Sequence, residues 1–252
     1  DRSVSRGLGD VYKRQTLYII FAVLIVLSLA TMTKWEWINI LLTLPAVIIA
    51  ITFHEFAHAK AADMLGDKTP RNQGRLTLNP MAHLEPFGFI LLMFAHIGWG
   101  RPVQINPNNF NSNKSRSFCE SMVSLAGPLM NFIIAIISCI AYVLAGYFAS
   151  QSFLDSVMGQ GIMLLLYMLM TINIGLGVFN LIPLPPLDGE KIFRNLLPYK
   201  VQDWLIRNYQ TLYLVFLVLW IFGFLGMIVS PVISAIINVL MNAVQAVVLL
   251  FV

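Results

Sequence analysis

Charge is scarce in this chain. Asp, Glu, Lys and Arg make up 11% of 252 residues, hydrophobic residues 58%, and mean hydropathy is +0.77. That balance excludes an ordinary water-soluble domain and predicts a protein that crosses the bilayer several times. Cysteine is scarcer still. Cys119 and Cys139 stand far apart with no C-x-x-C spacing, which excludes a disulfide framework and a thiolate zinc site. No G-x-S-x-G is present, so a serine nucleophile elbow is excluded. No internal repeat stands out, which argues against an inverted-repeat transporter, and no cleavable signal peptide is visible. The net charge of +4 lies in loops between apolar runs, so it reads as a topology signal and predicts no nucleic-acid partner.

What is present is a series of long apolar runs. Residues 1–15, DRSVSRGLGDVYKRQ, lack apolar periodicity. They are expected to be a disordered leader, either translated adapter sequence or a basic cytosolic tail, outside the fold. Residues 16–252 are expected to form a single integral-membrane domain. Spans are predicted at 16–33, 37–65, 122–149, 161–182 and 209–229, with a sixth opened by Pro231 and running to Val252. Residues 87–99, about 13 apolar positions, are too short to cross and read as re-entrant or interfacial. Arg75–Leu78 and Val103–Asn106 alternate and are bounded by Asn-Pro, which predicts short strands. The fold class is therefore an all-α polytopic membrane protein. About six helices are expected, with a small re-entrant, β-containing loop on the cytosolic side between the second and third.

Basic residues set the orientation. With six spans, fifteen Lys and Arg fall on one side and Lys34 alone on the other; without the leader the count is eleven to one. The positive-inside rule then puts both chain ends in the cytosol, and spans two and four run in the same direction.

The second span carries His54-Glu55-Phe56-Ala57-His58 near its cytosolic end. Histidines four apart on a helix lie on one face and can reach one metal ion. Glu55 is turned about 100° away, placed to touch a metal-bound water rather than to ligate. This is the zinc-hydrolase pattern, with two ligands and a general base. A single intramembrane histidine often only ties helices together, but two with a glutamate on one span are expensive to insert and functional by default.

A catalytic zinc takes three protein ligands. Span four ends in Asn180-Leu-Ile-Pro-Leu-Pro-Pro-Leu-Asp188-Gly189, where three prolines break the helix. Non-helical backbone at membrane depth is tolerated where it is buried or lines a wet cavity. Taken alone, Pro-Pro-Leu-Asp-Gly reads as a turn leaving the membrane; beside the histidines, Asp188 reads as the third ligand on non-helical chain. Another membrane zincin class would take a glutamate from a later helix as third ligand; Glu120 and Glu190 are the candidates, and neither has a comparable setting.

These motifs, with Gly127-Pro128-x-x-Asn131 between them, resemble the site-2 proteases, intramembrane zinc metalloproteases, over about residues 38–189. The resemblance implies one zinc ion per chain held by His54, His58 and Asp188, with Glu55 as the catalytic residue. It also implies a transmembrane protein as substrate, within a bacterial or archaeal cell membrane. The PDZ insertion and cystathionine-synthase-type domain of some members are not seen, so regulation by either is not expected within this chain. Asn180 is a candidate donor to the substrate backbone or oxyanion, or else a tie between spans. Asn131 reads as structural, with Gly127-Pro128 allowing close packing, and His83 and His96 as interface histidines. A metal transporter or a non-catalytic scaffold would use the same metal site without needing Glu55 as a base. The sequence carries no signal for a particular substrate, trigger or oligomeric state.

Overall fold

The computed structural model describes residues 30–86, 88, 90, 100–111 and 113–251. The expected first span lies outside these residues apart from its last positions, as does nearly all of the run 87–99, including His96. The chain divides into two compact units, one of residues 1–41 and 85–99, the other of residues 42–84 and 100–252. Every site residue discussed below belongs to the second.

Seven longer helices are described: α1 (Lys34–Met64), α2 (Arg116–Phe148), α3 (Val157–Asn180), α4 (Asp188–Arg194), α5 (Tyr199–Arg207), α6 (Tyr209–Ile221) and α7 (Phe224–Val248). Among the described residues, α2, α3 and α7 are long and apolar enough to cross a membrane. The bent pair α5–α6, with 69° between its halves, makes a fourth if counted as one element. The described part of α1 is not among them; its last three turns carry His54, Glu55, His58, Lys60 and Asp63. The protein is thus all-α and multi-pass. The two predicted strands form no ladder among the described residues, where the β pairing is one antiparallel bridge, Leu84 to Gly100.

Serine hydroxyls start two of the spans. Ser115 accepts from the Phe118 amide at the head of α2, and Ser156 from the Gly159 amide at the head of α3, each occupying a donor the helix cannot use internally. Helix α3 ends at Asn180 as the prolines approach. The last two helices depart from expectation. The break falls at Gly223, whose φ of +75° is the left-handed region that glycine enters cheaply, and Pro231 lies inside α7. Helix α6, with 13 residues, is about 20 Å long and does not span a hydrocarbon core of about 30 Å by itself.

In lipid, apolar burial does little to drive helices together, and close packing depends on small residues. Helix α1 presents such a row: Ala46, Ala50, His54, His58 and Ala62 recur every fourth position and are all buried. The apolar core proper lies among α2, α3 and α7, around Ala135, Cys139, Met170, Ile174 and Val248. The outer side of α2 exposes Leu129, Ile133, Ile137 and Leu144, as a face turned to acyl chains should.

At the end of α1, Gly66 takes φ +109° and the chain enters a polar segment fixed by Asp67. This fully buried carboxylate accepts from the Asn106 amide at 2.6 Å, the Thr69 hydroxyl at 2.6 Å, the Thr69 amide at 3.0 Å and Asn109 Nδ2 at 3.0 Å. Burial pushes its pKa up, but these donors outweigh burial and hold it below the ordinary carboxylate value. The tie between residues 67–69 and 106–109 therefore holds at neutral pH and weakens only as pH falls below the usual carboxylate range.

Candidate metal centre

Helical periodicity brings His54 and His58 together, with ring centroids 4.6 Å apart and planes at 86°. Their Nε2 atoms lie 3.0 Å apart, and Asp188 Oδ2 lies 3.1 Å from each. Three ligand atoms from two distant stretches thus form a nearly equilateral triangle, with both histidines buried.

The surroundings decide what these atoms carry. His58 Nδ1 lies 2.7 Å from the Val123 carbonyl, which can only accept, so Nδ1 holds the proton and Nε2 a lone pair. His54 Nδ1 lies 2.6 Å from Asn131 Oδ1. The orientation of that amide is fixed, since Asn131 Nδ2 donates to Ala50 O at 3.2 Å and to Asn173 Oδ1 at 2.8 Å. Asn173 is fixed in turn by donation to Leu169 O at 2.8 Å. His54 Nδ1 therefore donates, and its Nε2 also presents a lone pair. Two lone pairs and a carboxylate oxygen, about 3 Å apart in a buried place, repel one another unless a cation lies among them. Their chemistry suits zinc, whose bonds of about 2.0–2.1 Å to nitrogen and oxygen need only a slight opening of the triangle.

Gly127 makes room for this. A Cβ there would collide with His58 Nε2 and come within 2.7 Å of His54 Cε1, so α2 can lie against the imidazole pair only with glycine at this position. Gly189 does the same for the aspartate, because its Cβ would strike the carbonyls of Leu181 and Ile182. The sequence predicts non-helical chain at Asp188, and the structure corrects this. The irregular stretch is Leu181–Leu187, and Asp188 is the first residue of α4, with Glu190 in the same turn. Carboxylates are favoured at that end of a helix, which accounts for the early start.

The family model described as peptidase family M50 matches residues 42–224, which include His54, His58, Asp188 and both glycines. The chain belongs to peptidase family M50. It is 36% identical to the protein named "Putative zinc metalloprotease YwhC" of Bacillus subtilis over 189 residues, covering 75% of this chain and 84% of that protein. It is 31% identical over 158 residues to the one named "Putative zinc metalloprotease Rip2" of Mycolicibacterium smegmatis, covering 59% of this chain and 54% of that one. To the zinc metalloprotease MJ0392 of Methanocaldococcus jannaschii it is 29% identical over 196 residues, 77% of this chain and 44% of that one. No solved structure matches the chain. This M50 chain is accordingly a membrane-embedded zinc metalloprotease, and His54, His58 and Asp188 are its candidate metal site.

The remaining sequence candidates are distributed around that site. Glu55 Oε2 accepts from the Val103 amide at 3.0 Å. Asn180 ends α3 and spends an amide proton on Leu176 O of its own helix at 3.0 Å; it is not among the groups meeting the triangle. Glu190 pairs with Arg194 at 2.7 Å and Glu120 accepts from Asn195, so neither competes for the metal. Asn131 holds a candidate ligand rather than merely joining spans. His83 is fully buried, with Nε2 2.7 Å from Thr77 O. Sequence reasoning missed Asn173, although an amide in the middle of an apolar run signals a buried polar partner.

Proposed function

We propose that this M50 protein hydrolyses peptide bonds within or near transmembrane segments of other membrane proteins. In this reading His54, His58 and Asp188 hold one zinc ion and Glu55 is the general base. The observation that supports it best is the triangle of lone-pair atoms, with Glu55 next to one of its histidines on the same helix. Zinc bound there would polarise a water and the scissile carbonyl. Glu55 accepts the proton of the attacking water and delivers it to the leaving nitrogen. Its Oε2 is occupied by the Val103 amide, which leaves Oε1 for that proton. Asn131 and the Val123 carbonyl keep both imidazoles in the tautomer that points Nε2 inward. Asn180 has a second amide proton beyond the one given to Leu176 and offers it to the substrate backbone.

Chelation is the direct test. Purified protein should cleave a model transmembrane segment, lose that activity in a zinc chelator and regain it on adding zinc. Cleavage indifferent to chelation would sink the metalloprotease mechanism. Zinc accumulation in sealed vesicles without cleavage would favour a transporter instead.

We further propose six crossings with both chain ends in the cytosol. The span 16–33 and α1 would come first, α2 and α3 next, and the bent pair α5–α6 and α7 last. Support comes from the charge count, since Lys34 is the one basic residue assigned to the outer side. In this arrangement the turn around Asp155, between α2 and α3, faces outward. The two native cysteines are buried, so background labelling should be low. Asp155→Cys should react with a membrane-impermeant maleimide in intact cells, and reaction only after permeabilisation would reverse the orientation.

A further inference from the structure

Two polar stretches, residues 75–84 and 100–103, form one hydrogen-bonded assembly beside Glu55. Arg75 is buried, and its guanidinium donates to the Ala82 carbonyl and, at 3.4 Å, to the Arg101 carbonyl. The amide of Arg101 donates to His83 O at 2.7 Å, and Leu84 bridges Gly100 in antiparallel fashion. Arg101 is thus held at both its amide and its carbonyl. Space is tight as well: a Cβ on Gly100 would come within 3.1 Å of Ile51 Cγ2 and 3.3 Å of His83 O, and 3.9 Å from Glu55 Oε1. Two residues beyond Arg101, the Val103 amide reaches Glu55 Oε2 at 3.0 Å. On the far side, the Asp67 carboxylate holds the Asn106 amide at 2.6 Å. The short segment carrying Val103 is therefore fastened at both ends.

We propose that Arg75 is a positioning residue for the reaction: by gripping the Ala82 and Arg101 carbonyls it fixes the 100–103 segment so that the Val103 amide holds the carboxylate of Glu55 in one orientation. A free glutamate on a helix surface samples several rotamers, and only some present an oxygen to the attacking water. A donor on Oε2 selects one and leaves Oε1 available, which is preorganisation of the base. Arg75 suits the task because one guanidinium nitrogen, Nη1, has two protons and serves both carbonyls, and the group stays charged when buried, which a lysine does less well. Charge supports the placement. Burial and the Arg101 cation lower the Arg75 pKa while the Glu55 carboxylate raises it, so Arg75 feels the base as well as the loop.

The proposal rests on Glu55 being the base, and the test separates the two. Val103 is replaced by its α-hydroxy acid, which keeps the isopropyl side chain and exchanges only the amide N–H for an ester oxygen. Zinc per chain should remain at the wild-type value and KM should change little, while kcat falls about tenfold, as expected for losing a hydrogen bond to a charged group. Arg75→Met should reduce kcat to a similar degree and speed amide exchange across residues 100–106. Arg75→Lys should recover part of the rate. Combining Arg75→Met with the ester should cost little more than either change, because both act on the same bond. An ester protein with wild-type zinc and unchanged kcat, beside an inactive Glu55→Gln control, would overturn the positioning role alone. An increase in kcat would also overturn it, because the contact would then be inhibitory. If Glu55→Gln itself stays active, the base assignment falls and this proposal falls with it.

Discussion

Asp188→Ala binds less than one zinc per chain and cleaves nothing: that is the expected result when metal content and proteolysis are measured on one preparation. Asp188 Oδ2 is the one vertex of the triangle not supplied by α1, 3.1 Å from both Nε2 atoms. Removing it leaves two neutral nitrogens 3.0 Å apart, with no anion to offset the charge of the ion. Loss of groups that merely support metal ligands costs roughly 10–100-fold in affinity, and loss of a ligand should exceed that. Glu190→Ala is the informative control. Its carboxylate lies on Arg194, so breaking that largely buried pair costs stability, on the order of a few kcal/mol, without touching the metal. Zinc measured on the folded fraction should therefore stay at one per chain in Glu190→Ala. Unchanged affinity in Asp188→Ala would mean that another residue completes the set.

Glu55→Gln separates binding from chemistry. The amide keeps the size of the carboxylate, and its carbonyl oxygen can still accept from Val103, so the helix and its neighbours are undisturbed. What it cannot do is take a proton from water. General-base catalysis is worth about 10²–10⁴-fold, so cleavage should fall by at least that factor while zinc stays bound. Activity within a few-fold of the unaltered protein would show that the proton goes elsewhere. Because zinc is retained, this variant should also trap substrates in membranes, where crosslinking would identify them.

The contrast between these residues indicates what could be read without coordinates. His54, Glu55 and His58 were legible because one rule, 3.6 residues per turn, sets their mutual placement. Asp188 was legible as a partner, since three prolines announce a break at the end of an apolar run. Its local structure was not, because an acidic residue next to glycine fits a turn and a helix start equally well. The same limit explains the last two helices. Pro231 is the louder signal in the sequence, yet the break occurs at Gly223, and Pro231 continues inside α7. A proline within a long apolar helix is tolerated when neighbours satisfy the freed carbonyl, and only packing decides that.

By itself the sequence determined the membrane class, the apolar lengths of α2, α3 and α7, and the chemical identity of the candidate metal ligands, because each follows from composition or local periodicity. Tertiary structure alone decided the rest. It assigned the protons of His54 and His58, through an Asn173–Asn131 relay and the Val123 carbonyl, because a tautomer depends on what faces the other ring nitrogen. It revealed that Gly127 is the space both imidazoles need, because a missing side chain has meaning only against its neighbours. And it put a backbone amide, Val103, on Glu55. Every residue except proline carries such an amide, so no pattern of residue types can single out the one that the fold delivers to Glu55.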